Sequence, residues 1–213
     1  MDIAFAISAF VTLFVIIDPI GLAPLFVAMT AGMPARVRRA IAVRATVIAA
    51  LLLTVFTLLG EAVLAFVGIS MSAFQIAGGI LLFLTALDML FERRTKRRED
   101  QAGGEHPEVD EDHPDISVFP LATPLIGGPG AIATMILLAG QVEGDILGTL
   151  TVILVMVVVV ALVLIMFLSA GMIERALGKT GVNVVTRLLG MLLAALSVQF
   201  VLDGLAGSGV LPL

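Results

Sequence analysis

Cysteine is absent from this chain of 213 residues, which excludes disulfides, thiol catalysis and thiolate metal sites. Charge is scarce as well. Only 14% of residues are charged, and the net charge of −5 comes without a basic face to neutralise phosphates, so nucleic acid is not an expected partner. No basic stretch precedes the first apolar segment, and no small-x-small cleavage site follows a short apolar core, so that segment reads as a retained span.

What the chain has is apolar length. Hydrophobic residues make up 60% of it and the mean hydropathy is +1.15, beyond the roughly 45 to 50% apolar content of soluble domains. Runs long enough to cross a bilayer, about 20 residues, recur throughout. They predict an all-α membrane protein with six transmembrane helices, at about 3–33 (interrupted), 40–60, 70–91, 117–139 (interrupted), 146–168 and 183–203. The organisation is a first three-helix unit over 1–91, a charged linker over 92–116 and a second three-helix unit over 117–213. In the linker a basic stretch, Arg93 to Arg98, gives way to an acidic one ending Asp110-Glu111-Asp112-His113-Pro114-Asp115, a composition that predicts a mobile connection.

Basic side chains are missing from every second turnaround. All twelve fall at the first (Arg36, Arg38, Arg39, Arg44), the third (Arg93, Arg94, Lys96, Arg97, Arg98) or the fifth (Arg175, Lys179, Arg187). The second and fourth turnarounds and both termini carry only acids: Glu61, Glu143 with Asp145, Asp2 and Asp203. The positive-inside rule then puts the odd turnarounds and the linker in the cytoplasm and both termini outside, in the periplasm. Arg44 and Arg187 lie just within spans, where a long side chain can snorkel to the interface. A re-entrant first segment would place Arg36, Arg38 and Arg39 outside, so broken spans are preferred. A continuous helix of the first segment's length would also measure about 46 Å against a core of roughly 30 Å.

Two stretches half a chain apart share a proline spacing: Asp18-Pro19-Ile20-Gly21-Leu22-Ala23-Pro24 and Thr123-Pro124-Leu125-Ile126-Gly127-Gly128-Pro129, offset by 105 residues. With three spans per half, two related halves must sit in opposite orientation, which predicts an inverted three-plus-three repeat with discontinuous first and fourth helices. The third and sixth spans share a weaker match, Gly78 to Ala86 with Leu189 to Ala195.

Asp18-Pro19 and Thr123-Pro124 each read as an N-cap followed by proline at the first helical position. Proline six positions into a helix costs about 3 kcal/mol, so the half-helices start either at Pro19 and Pro124 or at Pro24 and Pro129. Either way, helix N-termini facing the membrane centre suit an anionic group, and unwound carbonyls beside them suit an ammonium or a cation. Gly21, Gly127, Gly128 and Gly130 would let a ligand approach the backbone. The plainer alternative is a pair of structural kinks. Asp18 is the one carboxylate placed deep in the membrane; it reads as a helix cap, as a partner for a substrate ammonium, or as a proton carrier, and Thr123 in the matching place cannot titrate.

Gln75 and Gln199 are candidate cavity residues, whereas Thr85, Thr134 and Ser197 read as interhelical hydrogen-bond partners and Asp88 as interfacial. His106 and His113 match no ligand spacing, so no metal site is expected. Gly140, Gly144 and Gly148 repeat at helix-packing spacing, but Glu143 and Asp145 between them favour an exterior turn.

The chain resembles the MarC family of bacterial inner-membrane proteins, which includes SnatA-like transporters of small neutral amino acids. The resemblance rests on Phe14 to Phe26, Phe119 to Thr134, Gly78 to Leu84, and Thr186-Arg187-Leu188-Leu189-Gly190 through Gln199. It implies six spans in the inner membrane, discontinuous first and fourth helices, and a small central site; members studied as transporters move glycine, alanine and similar amino acids. The charged linker is a departure from that pattern.

The leading expectation is a secondary transporter of small neutral amino acids with no cofactor, coupled to protons if Asp18 titrates. Its site would comprise Asp18, Pro19, Gly21, Pro24, Thr123, Pro124, Gly127, Gly128, Pro129 and Gly130. A channel-like or passive exporter would use the same broken helices as a pore lining, and a non-transporting membrane protein is the third reading. An enzyme is disfavoured, because no Ser/His pair, metal-ligand pattern or second deep carboxylate accompanies Asp18.

Overall fold

The computed structural model describes residues 3–91, 115–142 and 144–209, with the side chains of all of these except 170–177 and 179. Most of the charged linker, with His106 and His113, and also Glu143, lies outside the described residues. Seven helical elements run in order: α1 (Ile3–Ile17), α2 (Pro19–Met29), α3 (Ala35–Val67), α4 (Met71–Leu90), α5 (Ser117–Ile126), α6 (Pro129–Gly140) and α7 (Ile146–Gly207). Five stretches are long and apolar enough to span a bilayer: Ile3–Met29, α3, α4, and the two arms of α7, Ile146–Ser169 and Thr180–Gly207. The bent pair α5–α6, with 54° between its members, is the sixth if it counts as one span.

Local chemistry sets the ends. Ser70 caps α4 by accepting from Ala73 N, and Asp145 caps α7 by accepting from Leu147 N. Gly68 closes α3 in the left-handed conformation (φ 82°), and Gly178 (φ 62°) divides α7 where the fifth turnaround was expected. Gly144 (φ 77°) turns the chain between α6 and α7, in line with an exterior turn there. The second span is longer than the 40–60 expected from its apolar run. At 33 residues α3 is about 50 Å long, because the arginines and the glutamate that bound the run are themselves good helix formers.

α3 is apolar on every face. Ala42, Ala45, Ala49, Leu53 and Leu64 are buried, while Val47, Leu51, Val55, Leu58 and Val63 are exposed, which is how a helix looks when its solvent is lipid. Three buried threonine hydroxyls are satisfied within their own helices, Thr46 donating to Ala42 O, Thr57 to Leu53 O and Thr134 to Gly130 O, whereas the buried Thr186 hydroxyl has no partner among the described residues. No water is needed at the first three.

The packing crosses between the halves. The long helix α3 packs against α5 and α6, while α1 and α2 pack against α7, where the Phe26 and Phe167 rings stack with centroids 4.3 Å apart. α4 lies antiparallel along the second arm of α7 at backbone contact. A Cβ on Gly79 would stand 2.8 Å from Ser197 O, and one on Gly190 would stand 3.3 Å from Ala86 O. The contact is reciprocal, because the shift that carries Gly79 to Gly190 also carries Ala86 to Ser197. Small residues permit this approach, and dispersion at short range holds it in a medium that supplies no hydrophobic force between helices.

Candidate functional site

The break in the first span is a single residue. Asp18 adopts the left-handed conformation (φ 56°, ψ 64°), its side chain accepts from Gly21 N at 3.0 Å, and Pro19 opens α2. Backbone bonds bracket the break, from Asp18 N to Phe14 O (2.9 Å) and from Leu22 N to Asp18 O (3.0 Å). Asp18 is fully buried. Gly21 leaves room for it: a Cβ there would lie 2.2 Å from Asp18 Oδ2. Pro24 sits inside α2, half-buried.

The second break is built differently. Thr123 is extended (φ −137°, ψ 121°) and exposed, so it caps nothing, and α6 starts only at Pro129 with Gly128 as its N-cap residue. The half-helices therefore begin at Pro19 and at Pro129, one from each of the two alternatives the motif left open. The residue before the first proline differs between the two breaks. Aspartate tolerates the left-handed conformation that folds its carboxylate back onto the helix, whereas β-branched threonine does not. Between Ser117 and Gly127 the chain winds loosely, with bonds five residues apart from Leu121 N to Ile116 O and from Gly127 N to Ala122 O.

Each motif removes two helical donors. Proline has no N–H, so Pro19 and Pro24 cannot supply the α-helical donors of the Val15 and Ile20 carbonyls, and Pro124 and Pro129 likewise donate nothing in a stretch wound with five-residue bonds. At the 105-residue offset Pro19 matches Pro124 and Pro24 matches Pro129. The glycines of the second motif are closed in by the chain itself. A Cβ on Gly127 would lie 2.9 Å from Leu52 Cδ2 of α3, and one on Gly128 would lie 2.4 Å from Pro124 O. Gly130 brings the motifs together, since its Cβ would lie 3.5 Å from Ile16 Cγ2, two residues ahead of Asp18, and 3.3 Å from Leu82 Cδ2.

The remaining candidates lie on α4 and on the second arm of α7. Gln75 is half-buried on α4; Gln199 is exposed on the second arm of α7 and donates to Asp203 Oδ1 at 2.7 Å. Among the described residues, no three His, Asp or Glu side chains are grouped as metal ligands.

Sequence reasoning missed a polar cluster where α5 begins. The Asp115 carboxylate accepts from Ser117 Oγ at 2.7 Å and Ser117 N at 3.0 Å, and it is paired with Arg44 of α3. The Ser117 hydroxyl foremost, then the Ser117 N–H and the Arg44 guanidinium, hold the Asp115 carboxyl below the usual carboxylate range against a partial burial that opposes them. Asp-x-Ser at the start of an apolar run was the local signal, but nothing local pointed to Arg44. A second unread contact places the Arg38 guanidinium 6.0 Å from the centre of the Phe26 ring.

These apolar helices, packed through glycine and interrupted at two proline motifs, define a polytopic helical membrane protein. The model of the MarC family, described as MarC family integral membrane proteins, matches residues 3–208, and the chain belongs to that family. A UPF0056 membrane protein of Archaeoglobus fulgidus is 40% identical over 97% of this chain and 96% of its own length. One of Methanocaldococcus jannaschii is 37% identical over 98% and 99%. The UPF0056 inner membrane protein YhgN of Escherichia coli is 36% identical over 93% and 95%. No solved structure matches the chain.

Proposed function

We propose that this chain is a secondary transporter of small neutral amino acids in the inner membrane, built as six spans in an inverted three-plus-three repeat. The observation that carries the reading is the pairing of the breaks: two proline motifs, each lacking two backbone N–H donors, interrupt their spans beside a fully buried aspartate, where α1 and α6 meet. Carbonyls at the breaks, with Asp18 beside them, bind an ammonium, and the α6 N-terminus at Pro129, which no side chain caps, attracts a carboxylate; an amino-acid zwitterion presents both.

The cross-packing of α3 on α5–α6 and of α7 on α1–α2, together with the reciprocal Gly79 and Gly190 contacts, supports two halves related by an axis in the membrane plane. The charge distribution supports cytoplasmic odd turnarounds and outside termini. The role of Asp18 is proton uptake and release.

The test is uptake of radiolabelled glycine and alanine into proteoliposomes, with and without an imposed pH gradient. Saturable uptake that unlabelled solute inside the vesicles accelerates is expected of a carrier. Uptake without that exchange would favour a channel, and indifference to every neutral amino acid would defeat the proposal.

A further inference from the structure

The Arg44–Asp115 pair joins the two halves at the end of the molecule that carries the basic residues. Arg44 belongs to α3, the long helix of the first half, and Asp115 stands at the head of the broken span of the second. Asp115 is not a loose surface acid. Ser117, itself fully buried, fixes one carboxylate oxygen through two hydrogen bonds and leaves the other for Arg44. Ser117 thereby positions the carboxylate before the guanidinium arrives, which reduces the entropy lost in making the pair.

Among the described residues, the matching helices at the opposite end offer no equivalent of this pair. If the halves are related by the repeat, the counterparts of α3 and the head of α5 are the first arm of α7 and α1. Neither Ile146–Ser169 nor Ile3–Ile17 contains a charged residue. Any motion of the α5–α6 pair away from α3 must break the ion pair at one end, whereas the matching helices α1 and Ile146–Ser169 carry no charged residue with which to form one.

We infer that Arg44 and Asp115 form a one-sided latch that holds the second broken span against α3 and closes the basic end of the transporter. The latch rests on the alternating-access reading above. It makes the two access states unequal: the state closed at the basic end is favoured by the strength of a partly exposed ion pair, a factor of about two to five.

The test uses the absence of native cysteine. Ala122, fully buried and seven residues after Asp115, is replaced by cysteine, and its reaction with a membrane-impermeant maleimide is followed in inside-out vesicles with no solute present. Arg44→Asp or Asp115→Arg should raise the labelling rate about two- to fivefold. The double exchange, which rebuilds the pair in reverse, should return it to the starting rate. Asp115→Asn keeps an oxygen for Ser117 and loses only the charge, so its labelling rate should rise even if the reversals fail to insert. Unchanged labelling in Asp115→Asn, or a double exchange that labels as fast as the single reversals, would overturn the latch. Uptake assays in the same vesicles separate the two ideas: a labelling shift with no uptake of any amino acid refutes transport, and uptake with no labelling shift refutes the latch.

Discussion

The carboxylate of Asp18 occupies the space in which a side chain at Gly21 would begin, with Oδ2 only 2.2 Å from that Cβ position. The two residues form one unit: the aspartate turns left-handed to reach back, and the glycine lets it arrive and supplies the N–H it accepts. Gly21→Ala should therefore expel the carboxylate from its cap and destabilise the protein by about 1–2 kcal/mol, read as a lower melting temperature in detergent. An unchanged melting temperature would mean that α2 does not depend on this cap.

Asp18→Asn separates the two jobs of the residue. Asparagine caps helices as well as aspartate does and tolerates the same left-handed conformation, so the variant should insert and melt within about 1 kcal/mol of the parent. Proton-coupled uptake should fall at least tenfold and lose its response to a pH gradient. Normal, pH-responsive uptake would reduce Asp18 to a cap.

At the second break the sensitive position is Gly128. Any side chain there meets the Pro124 carbonyl at 2.4 Å, which is backbone and cannot swing aside. Gly128→Val is expected to abolish uptake by shifting Pro124 and the start of α6, and Gly128→Ala to reduce it severalfold. Full activity in the valine variant would remove this turn from the site.

The antiparallel seam between α4 and the second arm of α7 should not tolerate bulk. Gly79→Val puts two further methyl groups beyond a Cβ that is already 2.8 Å from Ser197 O, an overpacking of about 1–3 kcal/mol visible by thermal unfolding. Gly190→Val should behave alike, because its contacts mirror those of Gly79.

The sign of any acid effect at Asp115 follows from its depressed pKa. Its contribution to stability is fully present above the ordinary aspartate value and is lost only as pH falls through the lower folded value, below about 4. A change in transport between pH 5 and 8 must then come from another group. If Asp115→Asn abolished a pH response in that window, this assignment would fail.

The sequence was legible where a feature is local or periodic. Apolar length located the spans, and Pro19, Pro24, Pro124 and Pro129 located both breaks. It was less legible where one motif has two outcomes: the same proline spacing starts a helix at its first proline, Pro19, when it opens with Asp18 and at its second, Pro129, when it opens with Thr123. The length of α3 was hidden because charge ends an apolar run without ending a helix. Arg44 and Asp115 lie 71 residues apart and meet only through the packing of α3 on α5, so no window of sequence contains their contact. The reciprocal seam was visible as two glycines in matching apolar runs, but only their mutual approach distinguishes them from glycines common in any membrane helix.

Asp18 does not divide its span evenly. About 22 Å of helix lies on the α1 side and about 16 Å on the α2 side, so a positive charge held there has crossed unequal fractions of the transmembrane voltage from the two faces. With about 2.3 kcal/mol per elementary charge per 100 mV to be shared between the two steps, the membrane potential would accelerate one half of a proton-driven cycle more than the other. Currents from such a cycle would rectify, and the direction of rectification would report which face of the membrane the α1 end occupies.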